Sequence, residues 1–185
     1  ISKVGLELYN KILTQAVKEK GDGPLDEKRE KLIVVFKGSA QIPSDYMPLV
    51  QDRLYFYQKI SSVTNLKNLN EVSAELRDRF GPLPSEAETL FRLSQIQCSL
   101  YSFPLSKCNI DKFSLSFVLD AIPKGVSPQD FFDSLQRVLK GEARLFKIET
   151  IKTGSLLVRF ETTSLDDSFS LALLFHELFS RVLSL

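Results

Sequence analysis

The sequence predicts an α+β fold: a helix-rich N-terminal half followed by a β-α-β-β-α half with a small, mainly antiparallel sheet. Up to about Tyr101, apolar residues recur mostly at three- and four-residue spacing, the period of helices with one buried face. After Pro104 the period changes, and Phe113, Leu115, Phe117 and Leu119 alternate as in a strand with one buried face. The chain of 185 residues is 43% hydrophobic and 25% charged, enough apolar material for one packed domain. Residues 1–185 are therefore read as a single domain, with a helix-rich subregion over 1–104 and a β-α-β-β-α subregion over 105–185 sharing one core. The stretch at Phe103-Pro104 is the candidate boundary between them.

Val4, Leu8, Ile12 and Ala16 place an amphipathic helix over Val4 to Lys18. A polar loop with Gly21, Gly23 and Pro24 follows. Leu32 to Phe36 is short, apolar and β-branched, hence a strand, ended by Gly38 and Pro43. Pro48 suits the first turn of a second helix, where its missing N–H would have no partner, with Leu49, Val50, Leu54, Tyr57 and Ile60 as the inner stripe. A third helix runs from Leu66 to Phe80, with Leu69, Val72, Leu76 and Phe80 inward; Gly81 is expected to end it as a left-handed C-cap, and Pro82 enforces the stop. Ser85 and Glu88 form a capping box, S-x-x-E, opening a fourth helix to about Tyr101.

Lys112 to Leu119 is the first strand of the second half. Ser127-Pro128 starts a helix to about Leu139, burying Phe131, Phe132, Leu135 and Val138. Leu145 to Ile151 and Ser155 to Glu161 are strands joined by a turn at Lys152-Thr153-Gly154. Ser164 caps the last helix, and Asp166 and Asp167 sit at its positive end. Leu171, Leu174, Phe175, Leu178, Val182 and Leu185 run along that helix.

Charge and motifs exclude most chemistry. The formal net charge is +1, without the basic excess typical of a dedicated nucleic-acid binder. Cys98 and Cys108 read as two free thiols in a reducing cytosol, with a single bridge between them as the alternative, and with one histidine they make no zinc set. No apolar run nears the roughly 20 residues of a membrane helix. A chain opening at Ile1 with no leader reads as a piece of a longer polypeptide. His176 lies in an apolar helix where its neighbour Glu177 points elsewhere, and it reads as a structural or surface residue. Phosphate-binding loops and nucleophile elbows are missing, so an enzyme is not expected, and neither a metal nor a cofactor. Tyr55, Phe56 and Tyr57 between Arg53 and Lys59 look superficially like a nucleic-acid motif, but Tyr57 falls on a helix's apolar stripe.

The distinctive segment is Glu75 to Pro84, E-L-R-D-R-F-G-P-L-P. Glu75 and Asp78 are surface neighbours of like charge, and Arg79 is placed to pair with Glu75. A solvated face with one intrahelical salt bridge explains them; so does an acidic pair held ready for an arginine on another surface.

Together with Val4-Gly5-Leu6-Glu7-Leu8-Tyr9, Ile42-Pro43-Ser44-Asp45-Tyr46 and Arg53-Leu54-Tyr55-Phe56-Tyr57-Gln58-Lys59, this segment resembles the C-terminal (TRCF) domain of the bacterial transcription-repair coupling factor (Mfd) family. The resemblance covers roughly the first half of the chain; the second half agrees only in its order of elements. Leu49 departs from the family, where an acidic residue is expected after Pro48. The resemblance implies a non-catalytic, cytoplasmic regulatory domain of an ATP-dependent DNA translocase. Such a domain packs on the N-terminal repair module of the same polypeptide and masks the surface that recruits UvrA until RNA polymerase is engaged. It makes Glu75, Asp78 and Arg79 the expected interdomain contact, with DNA handled by the parent motor. Arg53, Tyr57, Tyr46 and Asp45 read as structural, giving a buried tyrosine, a helix entry and an internal ion pair. Two other roles fit the sequence. One is a docking module for an external protein, favoured by an apolar face on the last helix. The other is a DNA-guiding accessory domain, which needs Lys107, Lys112, Lys147, Lys152 and Arg159 on one face.

Overall fold

The computed structural model describes residues 32–120, 127–139, 146–151 and 155–183. The expected Val4 to Lys18 helix, the loop after it and the turn at Lys152-Thr153-Gly154 lie outside the described residues. Strand β1 (Ile33–Phe36) is followed by helices α1 (Val50–Ser62), α2 (Leu66–Phe80) and α3 (Ser85–Leu100). Then come β2 (Leu105–Ile110), β3 (Ser114–Leu119), α4 (Pro128–Leu139), β4 (Phe146–Thr150), β5 (Leu156–Glu161) and α5 (Leu165–Leu183). The chain divides into two compact units, one holding Gly38–Cys98 and the other holding β1 with everything from Ser99 onwards.

In the first unit, α1 buries Phe56, Tyr57, Ile60 and Ser61. Leu49 and Val50, expected inside, are 66% and 57% exposed. Val50 only begins the helix and Leu49 is its N-cap, so their turn projects past the core, while Met47 just upstream is fully buried. Helix α2 buries Leu69, Val72 and Leu76, with Phe80 half-buried. Asn65 opens it by accepting the Asn68 N–H at 2.9 Å. Gly81 ends it with φ +86° and ψ −166°, an extended conformation of positive φ essentially open only to glycine. Helix α3 starts at Ser85 itself, so the expected capping box does not form. The Ser85 hydroxyl meets the Glu86 carboxylate, and Glu88 N–H donates to the Pro84 carbonyl at 2.9 Å.

The second unit is built on a five-stranded mixed sheet, order β1-β2-β3-β5-β4. Three of its pairings are antiparallel and one, β1 with β2, is parallel. Two departures from expectation stand out. Strand β2 was not expected; its ladder with β3 shifts register between Leu105 and Lys107. The strand expected from Lys112 begins at Ser114, because Asp111 to Phe113 form the tip of the β2–β3 hairpin, closed by Asp111 N–H to the Ser114 carbonyl. Phe113 is thereby 61% exposed rather than buried.

Leu115, Phe117 and Leu119 of β3 and Val158 and Phe160 of β5 are fully buried under α5. Phe117 stacks on Phe175 with ring centroids 4.0 Å apart and planes 12° apart, and Phe160 meets Phe175 edge-on at 5.8 Å. Such pairs add about 0.5–1.5 kcal/mol each beyond area burial. Ser164 caps α5 by accepting the Asp167 N–H at 3.1 Å. Ser168 fastens the helix to the hairpin tip, donating to the Asp111 carbonyl at 2.7 Å and lying 2.7 Å from the Thr162 hydroxyl. Helix α4 begins as expected: Ser127 Oγ accepts the Asp130 N–H and donates to its carboxylate. Phe131 is fully buried there and Phe132 half-buried; the side chains of Leu135 and Val138, like those of Leu178, Val182 and Leu185, lie outside the described residues.

Candidate functional site

Three of the four sequence motifs meet in the first unit, tied by hydrogen bonds between segments far apart in sequence. Tyr57 points back from α1, and its phenol oxygen accepts the buried Ile42 N–H at 2.8 Å. Burial raises the Tyr57 phenol above its ordinary value, more than this bond and Arg53 lower it. Tyr46 donates to the Gly81 carbonyl at 2.8 Å, pinning the end of α2. The Arg53 guanidinium donates to the carbonyls of Met47 and Pro48. It braces the entry to α1 rather than forming the expected ion pair; Asp45 is exposed, with no ion pair among the described residues. These residues are scaffold.

The scaffold fixes a charged and aromatic face across α1 and α2. Lys59 of α1 reaches over to α2 and forms an ion pair with Glu75 Oε2. Arg79 Nη1 lies 3.7 Å from Glu75 Oε1, the i, i+4 pairing expected from the spacing. The Lys59 ammonium also lies 3.4 Å from the Tyr55 hydroxyl and 5.5 Å from its ring centroid. Hydrogen bonding to Glu75 foremost, and then to Tyr55, holds the Lys59 pKa above its ordinary value. Arg79 lies over two rings, 5.4 Å from the Phe56 centroid and 5.1 Å from that of Phe80. Those rings meet edge-on at 6.0 Å.

Of the two carboxylates picked out by sequence, only Glu75 is engaged. Asp78, one turn on, is exposed and has no ion pair among the described residues. Sequence reasoning found Arg79 as a partner of Glu75 but missed Lys59, because an ion pair between helices 16 residues apart leaves no local spacing to read. The motif that carries Lys59, Arg53 to Lys59, was the available signal.

The second unit supplies the lysines of the DNA-guiding alternative. Ladder register puts Ile33, Lys107, Val118, Leu157 and Glu149 in one row and Val35, Asn109, Ser116, Arg159 and Lys147 in the next. Both rows lie on the sheet face opposite the one that holds Phe117 and Phe160. Lys107, Lys147 and Arg159 thus share a face, with Glu149 and Glu161 interleaved. Lys112 sits at the hairpin tip over the Phe113 ring, and Lys152 lies outside the described residues. On α5, Leu171 and Phe175 are buried and Leu174 half-buried.

Other chemistry-bearing groups are quiet. Neither Cys98 nor Cys108 is in a disulfide, and burial pushes the Cys108 thiol far above the usual range. The His176 ring lies edge-on to Phe103, with centroids 5.4 Å apart. Among the described residues no group of three or more His, Cys, Asp and Glu side chains could hold a metal ion. No helix among them is long and apolar enough to cross a membrane.

Residues 36–125 match the TRCF domain family. The chain is 30% identical over 142 residues to the transcription-repair-coupling factor of Haemophilus influenzae, covering 74% of this chain and 12% of that protein. It is 35% identical to the factor of Bacillus subtilis and 34% identical to that of Escherichia coli, each over 98 residues. Those alignments cover 52% and 51% of this chain and 8% of either protein. The chain thus spans about a tenth of the length of these relatives. A crystal structure of the C-terminal domain of transcription-repair coupling factor superposes with a TM-score of 0.64 at 21% identity, covering 84% of this chain and 97% of that one. That likeness is one of fold.

Proposed function

This chain carries a TRCF domain, the family it shares with the transcription-repair coupling factors, and on that premise we propose that it is the non-catalytic regulatory domain of such a factor. It packs against the N-terminal repair module of its own polypeptide and masks the surface that recruits UvrA. The parent is an ATP-dependent DNA translocase of the bacterial cytoplasm, and its engagement of RNA polymerase releases the mask. The observation that carries this reading is the braced face of α1 and α2. Its core bonds hold Glu75, Asp78 and Arg79 at the surface, and Asp78 is exposed with no ion pair among the described residues.

A contact that must open suits this chemistry. Interfaces between domains of one chain bury about 600–1,500 Å² and are rather polar. Charged pairs set register across them and separate without exposing a large apolar patch. Asp78 beside Glu75 gives its own helix nothing, since like charges at i, i+3 repel. Facing an arginine, the same pair offers two acceptors.

The test is a titration of this chain against the N-terminal repair module of its parent, with duplex DNA as the control. Saturable binding that competes with UvrA and is lost in the Glu75→Ala, Asp78→Ala double variant is expected, with the melting temperature of the domain nearly unchanged. Full-strength binding by the double variant would overturn the assignment of the contact. The shared face of Lys107, Lys147 and Arg159 favours the DNA-guiding role as a second reading. Saturable binding of duplex DNA without any response to the module would promote that reading over the mask. Along α5, Phe169, Leu171, Ala172 and Phe175 are buried and Leu165, Leu173 and Leu174 half-buried, so among the described residues this helix shows no exposed apolar face of the kind external docking would use.

A further inference from the structure

Glu75 does not offer an open carboxylate. Oε2 is taken by Lys59 from the neighbouring helix, and Arg79, held over the rings of Phe56 and Phe80, stands 3.7 Å from Oε1, too far for a hydrogen bond. A cation that takes both oxygens of Glu75 must therefore compete with Lys59. The competition is uneven. Ammonium is a point charge on a flexible stem, whereas a guanidinium meets both carboxylate oxygens in one plane. Lys59 also has somewhere to go, because the Tyr55 hydroxyl at 3.4 Å and its ring at 5.5 Å both favour the ammonium without Glu75. Both members of the ion pair are about one-third exposed, so the pair is easily opened.

We propose that Lys59 occupies the Glu75 carboxylate when the domain is free and is exchanged for a guanidinium of the docked partner, so that Lys59 sets how tightly the domain docks. This rests on the reading that Glu75 and Asp78 face the partner. The exchange makes the docked state weaker than the two carboxylates alone would make it, and a regulatory contact that must open needs such weakening. The partner side chain this arrangement selects is an arginine in preference to a lysine, since a second ammonium would gain nothing over the one displaced.

The experiment is a set of titrations of the repair module of the parent with this chain carrying Lys59→Met, which keeps the apolar stem and removes the charge. Lys67→Met, an exposed lysine of α2, measures the effect of losing a positive charge in general. Lys59→Met is expected to bind about two- to five-fold tighter than the wild-type chain and tighter than Lys67→Met. In a Glu75→Gln background the same substitution should give no gain, as a double-mutant cycle requires of a direct coupling. A Lys59→Met affinity equal to or below wild type would overturn the exchange, while loss of binding by Glu75→Gln, Asp78→Asn would still uphold the contact itself. If that carboxylate variant binds the module as well as the wild-type chain, the contact and the exchange fall together. Melting temperatures of every variant separate these outcomes from misfolding.

Discussion

At the scale of single residues, the motifs divide into those that hold the unit together and those that remain at its surface. Tyr57, Tyr46 and Arg53 satisfy backbone groups at the entry to α1 and the exit of α2. Gly81 belongs with them. A Cβ built there meets nothing within 4 Å, so space does not demand glycine; its φ of +86° with ψ near ±180° does. Gly81→Ala is therefore expected to destabilise the domain by about 1–3 kcal/mol with no steric clash, as measured by urea unfolding. A cost within experimental error would mean that the turn relaxes freely. The need for glycine was legible, because Phe80-Gly81-Pro82 marks a helix end. Its conformation was not, since ψ depends on the Tyr46 hydroxyl that holds the Gly81 carbonyl from 35 residues away. The exposure of Phe113 was hidden in the same way: alternation continues through it, but the strand begins two residues later than the pattern suggests, at Ser114.

Among elements, helices with capping chemistry in the sequence were read to within a residue or two, and the strand with an irregular ladder was missed. Strand β2 buries Leu105, Cys108 and Ile110, a spacing that is not period 2 because its register slips between Leu105 and Lys107. Ser106, Lys107 and Asn109 add little β-propensity of their own, so only pairing to β1 and β3 makes the segment a strand. Helix α1 shows the opposite, a helix formed in spite of its start. Leu49 occupies the N-cap in an extended conformation, with no side-chain bond to the first turn, and is 66% exposed. An aspartate there would accept a first-turn N–H and meet the positive end of the helix. Leu49→Asp is expected to stabilise the domain by about 0.5–2 kcal/mol and to raise its melting temperature. An unchanged or lower melting temperature would show that the Arg53 bonds to the Met47 and Pro48 carbonyls already close this end, leaving no gain for a cap.

For the whole molecule, the division of the chain matters more than its order along the sequence. Strand β1 precedes the three helices yet pairs in parallel with β2, so the sheet unit is closed by a segment from the opposite end of the sequence. A sequence reading that cuts the chain in two places β1 with its neighbours in sequence; only a ladder partner reveals where it belongs. The motif residues from Ile42 to Pro84 lie instead in the helical unit, and the carboxylates proposed for docking lie there with them. If that unit docks through Glu75 and Asp78, the contact is governed by exposed charge and must respond to screening. The Debye length falls from about 10 Å at 0.1 M salt to about 3 Å at 1 M. Binding of the repair module in trans should then weaken steadily across that range, whereas an apolar contact would hold or strengthen. Tethering within one polypeptide raises the local concentration to about the millimolar range, so the same contact would stay closed in the parent protein at salt levels that abolish it in trans. Measuring both forms over one salt series decides the matter: affinity in trans independent of salt would remove Glu75 and Asp78 from the contact, however the tethered form behaves.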